Sequence, residues 1–300
     1  MSHTPAHLVV AVNPAASFGR NRWVGAAVVE RLLAEGYAVS MLREANIELL
    51  RREAESAVAQ GTDGVVVVGG DGMASLGVNL VAQSEIPLGI VAAGTGNDLA
   101  RGLGLPFDDP AEAIDALVDR LGRPPRRIDA GLIRHGVGST WFASVVSAGF
   151  DAVVNERANR MSRPRGPSRY TLAMLRELAT FRPRRYTLTI DGIRREQRAM
   201  LVSVANNSSF GGGMRIVPHA DLADGTLDVL IVHPLSRARF IAVFPKVFAG
   251  THVDHPAVEF LTGGHFVIEA DDVIAYADGE RIGKLPIEIE VVPGAISVFA

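Results

Sequence analysis

A chain of 300 residues with 48% hydrophobic and 21% charged side chains can bury one large core or two ordinary ones. A net charge of −3 argues against a general nucleic-acid binder, and the absence of cysteine excludes disulfides, thiolate catalysis and Cys-ligated zinc. No apolar run reaches the roughly 18 residues needed to cross a bilayer, and the N-terminus has no cleavable apolar segment, so a cytoplasmic protein is expected.

In chain order, His7–Val12 reads as a buried strand, followed by a turn-rich loop from Asn13 to Arg20. Asn21–Ala34 has helical spacing and is stopped by Gly36; Tyr37–Leu42 is a second strand and Ile47–Gln60 a second helix. Val65–Val68 is a third strand that ends in Gly69-Gly70-Asp71-Gly72 and leads into a helix over Met73–Gln83. Leu88–Ala93 is a fourth strand, ending in Gly94-Thr95-Gly96-Asn97-Asp98 before another helix. This alternation predicts an α/β domain over 1–125, a parallel sheet with helices on both faces and a ligand at the strands' carboxyl ends. Leu121–Pro125 is the candidate linker.

Beyond it, strands are predicted at Arg127–Ile133, Thr140–Val146, Arg185–Ile190, Arg198–Ala205, Thr226–Val232, His265–Glu269, Ile274–Ala277 and Ile287–Val292. Asp191-Gly192, Asp224-Gly225 and Asp278-Gly279 turns separate several of them, as in an antiparallel, sandwich-like domain over 126–294. Residues 295–300 are expected to return to the first domain. Helices are expected at Asp151–Met161, Tyr170–Thr180 and Ser236–Ala249.

The two Gly-Asp turns carry the chemistry. Glycine lets a ligand approach the backbone, and bare N–H groups at a helix start attract phosphate. An acidic residue in such a turn needs a companion cation, for which Mg²⁺ is the natural choice. The chain has no GxxxxGK[ST], no HRD or DFG, and no GxGxxG at Gly69. One GGDG turn would be structurally sufficient by itself. Two, at the ends of consecutive strands, favour a nucleotide-phosphate site.

Six blocks, in order, resemble the diacylglycerol-kinase catalytic family: VNPAASFGR, VVVVGGDG, GTGNDLARGLGLP, IDAG, VANNSSFGGGMRIVPHADLADGTLDVLIV and YADGERIGKLPIEIEVVPGAISV. The soluble bacterial members, which are related to sphingosine kinases, are the most similar. The resemblance implies an ATP- and Mg²⁺-dependent lipid kinase with its active site in an interdomain cleft. The acceptor it implies is diacylglycerol, giving phosphatidic acid; a sphingoid base, ceramide or phosphatidylglycerol, and a non-catalytic nucleotide- or lipid-binding relative, are the alternatives. By position it places Asn13, Arg20, Gly69, Gly70, Asp71, Gly72, Gly94, Thr95, Asn97 and Asp98 on the nucleotide. Asp71, Asp98 and Asp129 fall on an Asp–water–Mg²⁺ network. Asp278 takes the place of the general base and Glu280 that of its metal-side partner. Asp221, Asp224 and the carbonyl of Thr226 match a structural Mg²⁺ site, although Asp-x-x-Asp-Gly is also a common turn. Two positions depart from the family: Met73 stands where Thr is usual, and Arg20 where many members have Lys.

The basic run from Arg157 through Arg160, Arg163, Arg165, Arg169, Arg176, Arg182 and Arg184 to Arg185 reads as a solvated face or as a peripheral contact with the inner face of the membrane. No nucleic-acid partner is expected, and a homodimer is compatible with the sequence. The Phe-rich helix from Phe240 to Phe248 reads as core first and as the wall of a lipid slot second. A general base contributes typically 10²–10⁴-fold. Asp278→Asn is therefore expected to lower turnover on that scale with folding retained, measured by a transfer assay beside a thermal melt.

Overall fold

Short β-branched runs with no polar face fold as strands covered on both sides, and β3 (Gly64–Gly69) is buried at every residue. The computed structural model describes residues 5–13, 23–150, 154, 157, 172, 176, 177 and 182–300. The chain divides into two compact units; the first runs to Ala130 and also takes in Gly211–Gly213 and Pro293–Ala300.

In the first unit, β1 (His7–Val12), β2 (Ala38–Arg43), β3, β4 (Leu88–Ala92) and the end of β16 (Ile287–Val298) lie side by side in the order β2-β1-β3-β4-β16, all parallel. The intervening helices are α1 (Val24–Ala34), α2 (Ile47–Ala59), α3 (Asp71–Val81), α4 (Asp98–Gly102) and α5 (Pro110–Leu121). Val24, Val28 and Leu32 of α1 and Ile114 and Leu117 of α5 pack with Val66 and Val68. A methyl group on Gly77 of α3 would instead touch Val67, which alternation turns to the opposite face. Helices thus cover both faces. Each fully buried valine contributes about 1.5–3 kcal/mol. Because β2 and β3 flank β1 on opposite sides, the carboxyl ends of β1 and β3 form the switch point where such sheets bind ligands.

The second unit is a sandwich. One sheet holds β8 (Arg184–Ile190), β9 (Ile193–Ala199), β13 (His265–Glu269), the start of β16, β5 (Arg126–His135) and β6 (Gly138–Phe142). The other runs β12-β11-β10-β7-β14-β15, comprising Val258–Gly263, Leu227–Val232, Leu201–Ala205, Val145–Gly149, Ile274–Ala277 and Glu280–Lys284. Phe142, Tyr186, Leu188, Phe266 and Ile289 from the first meet Val146, Val202, Val204, Val229 and Ala275 from the second in one core. α6 (Arg237–Ala249) is capped by the Ser236 hydroxyl, which accepts from Arg239 N.

Three sequence-derived strands needed correction. Thr140–Val146 breaks at Ala143–Ser144 and Arg198–Ala205 breaks at Met200, because at both points the chain crosses from one sheet to the other. Ile287–Val292 continues to Val298 through Pro293-Gly294, whose polar groups are satisfied from β5: Gly294 N donates to Asp129 and Gly294 O accepts from Arg127. Of the helices expected over Asp151–Met161 and Tyr170–Thr180, only Val154, Arg157, Leu172, Arg176 and Glu177 are described, and each is helical. Arg20, Arg160, Arg163, Arg165 and Arg169 lie outside the described residues.

His252, 2% exposed, donates through Nε2 to Ile216 O and lies edge-on to Phe260. Burial holds its pKa below the ordinary 6.5. The unfolded chain therefore takes up the proton first as pH falls, so this contribution to stability is complete above pH 6.5 and drains away below it. Thermal melts between neutral and mildly acidic pH are expected to fall more steeply for the native protein than for His252→Phe.

Candidate active site

The site begins where β3 ends. Gly70 precedes α3 with no side-chain cap, and Asp71 opens the helix. The Asp71 carboxylate reaches across to the next strand's turn, where Oδ2 accepts from Asn97 N at 3.1 Å and Oδ1 from Asp98 N at 2.6 Å. Asn97 holds the left-handed conformation (φ 57°). Its Oδ1 accepts from Gly94 N at 3.0 Å, while its Nδ2 donates to Gly94 O and Phe107 O. The two turns are in contact: a Cβ on Gly94 would lie 2.2 Å from Gly70 Cα, and one on Gly96 would lie 2.2 Å from Asp71 Oδ2. No side chain fits at either glycine. Thr95 and Gly72 remain exposed, and Asn13 is half-buried at the end of β1.

Asp98 continues the relay. Its Oδ2 accepts from Gly212 N and its Oδ1 from Gly213 N, both at 2.8 Å, which fixes a loop more than 100 residues downstream. One helical turn on, the Arg101 guanidinium lies 3.7 Å from the centroid of the Phe107 ring and beneath Gly213. Sequence reading assigned Arg101 no part here; its i+3 spacing from Asp98 was the available signal. Met73 is 4% exposed, so it serves the packing of α3.

Burial, and secondarily the charge of Asp98, push the Asp71 carboxyl above the usual carboxylate range. A divalent cation beside both carboxylates would offset that repulsion. Mg²⁺ needs only one or two carboxylates when phosphate and water complete its shell, so this pair fits. Among the described residues no three His, Asp or Glu side chains converge as a ready-made cage. Asp129, 3% exposed on β5, accepts from Gly294 N at 2.7 Å. Asp221 Oδ1 accepts from Ala223 N, and Asp224 Oδ1 from both Thr226 N and Thr226 Oγ1. These are side-chain-closed turns, a geometry that Asp adopts without metal.

Asp278 belongs to the second unit. With φ 47° and Gly279 at 86°, it forms the tight turn between β14 and β15 and is 8% exposed. Its carboxylate accepts three backbone N–H groups from the corner that joins β6 to β7: Ser144 and Val145 on Oδ1, Ala143 on Oδ2, all at 2.9–3.0 Å. The same corner is held from its carbonyl side, since Asn206 Nδ2 donates to Ala143 O while Asn206 N and Asn207 N donate to Ser144 O. The sequence gives no signal for this, since nothing in the spacing joins residue 206 to residue 143. Glu280 is exposed at the start of β15. An amide at position 278 would turn an NH₂ toward one of these donors, so Asp278→Asn carries a folding cost that the sequence alone did not reveal.

The described chain thus joins a parallel α/β unit carrying paired Gly-Asp turns to an antiparallel sandwich unit. Residues 7–132 match the model of the diacylglycerol kinase catalytic domain, and residues 144–300 match the YegS C-terminal NAD kinase beta sandwich-like domain. The chain is 38% identical to a diacylglycerol kinase of Mycobacterium tuberculosis over 99% of its own length and 96% of that protein's. It is 27% identical to a diacylglycerol kinase of Bacillus subtilis, covering 78% of this chain and 76% of the relative. A crystal structure of a diacylglycerol kinase from Bacillus anthracis shares the fold with a TM-score of 0.72 at 20% identity, covering 100% of this chain and 98% of that one. The protein belongs to the diacylglycerol kinase family of lipid kinases.

The contact between Gly94 and Gly70 sets a test. Overpacking costs typically about 1–3 kcal/mol. Gly94→Ala is expected to lower the urea midpoint by that equivalent. An unchanged midpoint would mean that the turns do not depend on each other.

Proposed function

We propose that this lipid kinase transfers the γ-phosphoryl group of ATP to the hydroxyl of diacylglycerol, giving phosphatidic acid. The observation that carries the reading is the Asp71-braced pair of glycine turns, packed against each other at the carboxyl ends of β3 and β4, whose acidic residues suit a metal. The relatives' names support the choice of acceptor.

Phosphoryl transfer needs positioning and charge neutralisation more than covalent help from the protein. The Gly69–Gly72 and Gly94–Asp98 turns hold the nucleotide phosphates, and Asn97 keeps the second turn in shape. Asp71 and Asp98 are the residues that would hold Mg²⁺, and the ion would neutralise phosphate charge when bound. The acceptor oxygen bonds to phosphorus as the bond to the ADP oxygen breaks, and the hydroxyl proton passes to the carboxylate of Asp278. Three backbone donors hold that carboxylate in one orientation, the kind of preorganisation a base requires.

No described helix is long and apolar enough to cross a membrane. We assign the approach to the lipid surface to the basic region from Arg157 to Arg185, at the inner face of the membrane. Arg157 is paired with Glu177, whereas Arg176, Arg182, Arg184 and Arg185 are exposed.

The test is transfer of labelled phosphate from ATP across a panel of diacylglycerol, sphingosine, ceramide and phosphatidylglycerol, with and without Mg²⁺. Label in phosphatidic acid, lost on Mg²⁺ removal, is expected. Asp278→Asn, assayed below its own melting temperature, should retain roughly 10⁻²–10⁻⁴ of the activity. Label confined to another lipid would move the acceptor; native-like turnover in the variant would remove Asp278 from the base role.

A further inference from the structure

Pro183, Arg184, Arg185, Arg198 and Asp271 line an open concavity of about 480 Å³, all within the second unit. Arg185 and Arg198 are direct cross-strand partners on β8 and β9. Their neighbours Tyr186 and Ala199 point into the core, so the two guanidinium groups share the outer face, where like charges opposite one another destabilise a sheet. The side chains of Arg184, Arg185 and Arg198 make no hydrogen bond or close ion pair among the described residues, although the charge of Arg184 reaches Asp272 and adds to the pull of Lys284 on that carboxylate. Elsewhere on β9, Arg194 pairs with Glu196 and Arg195 with Glu259. Asp272, next to Asp271, is committed to Lys284 at 2.9 Å.

Three arginines less one aspartate leave two positive charges around the concavity. That balance suits a phosphate monoester, which carries about −1.5 to −2 at neutral pH, better than a phosphodiester with its single charge. Arginine forks also match the tetrahedral oxygens bidentately, and a monoester offers three of them. We propose that Arg184, Arg185 and Arg198 form a phosphomonoester-binding site within the second unit. Resting on the function proposed above, its ligand in a working enzyme is the headgroup of the lipid phosphomonoester that the reaction makes. The site would hold the protein on membrane rich in product. This differs from diffuse attraction to anionic lipid, because it discriminates monoester from diester at equal surface charge.

The test is sedimentation of the full chain with phosphatidylcholine vesicles carrying either phosphatidic acid or enough phosphatidylglycerol to match its charge. The native protein is expected to stay on the phosphatidic acid vesicles at salt concentrations that release it from the other. At roughly 1 kcal/mol per cation, each arginine removed should weaken binding about fivefold. Arg185→Ala with Arg198→Ala should therefore erase the preference, and the corresponding lysine pair should restore the charge without the preference. Arg194→Ala with Arg195→Ala on the same strand should keep it. Equal binding of the native protein to both vesicles would overturn the proposal. So would a preference surviving in the folded Arg185/Arg198 variant, or one lost equally in the Arg194/Arg195 control.

Glycerol 3-phosphate added as competitor separates the sources: displacement assigns the site to phosphomonoesters at large, and no displacement assigns it to the lipid-borne group. Because sedimentation needs no turnover, a preference in a chain that phosphorylates no lipid would refute the proposed reaction and leave the site standing.

Discussion

The paired glycine turns of the first unit depend on one carboxylate. Asp71 opens α3 yet spends its oxygens on the N–H groups of Asn97 and Asp98, so two turns at the ends of neighbouring strands become one object. The glycines at 94 and 96 follow from that contact, because a Cβ at either would lie 2.2 Å from Gly70 Cα or from Asp71 Oδ2. Asp98, placed by Asp71, in turn fixes the Gly212–Gly213 backbone. Burial, and secondarily the charge of Asp98, raise the Asp71 carboxyl above the usual carboxylate range, which is the cost of placing it where it can brace both turns.

The second unit uses the same device with different parts. A carboxylate in a tight turn gathers the N–H groups of a strand corner, and asparagines 206 and 207 take the carbonyls of that corner. The corner exists because the strand leaves one sheet for the other between Phe142 and Val145, exposing polar groups that must find partners. Asp278 therefore holds the corner together, and losing its charge should disturb that corner.

Much of this was legible in the chain. Uniformly apolar runs bounded by glycine announced the parallel sheet, and Asp-Gly turns announced the antiparallel one, since both rest on local backbone preference and on burial that depends on residue type. Strand continuity was less legible: Thr140–Val146 and Arg198–Ala205 look unbroken because the residues on either side of each corner are equally apolar. The run through Pro293-Gly294 looked finished because the side chains that satisfy it, Asp129 and Arg127, sit more than 160 residues away.

By itself the sequence determined the two glycine turns and the acidic residues within them, since turn geometry and charge are local properties, and its six matching blocks pointed to the family. Only the tertiary structure decided what those acids touch. Asp71 could have pointed at solvent, and Asp278 could have been an ordinary hairpin residue; long-range backbone pairing brings their donors to them. The same pairing sets Arg185 against Arg198, residues 13 positions apart in a chain where neither is marked by any motif.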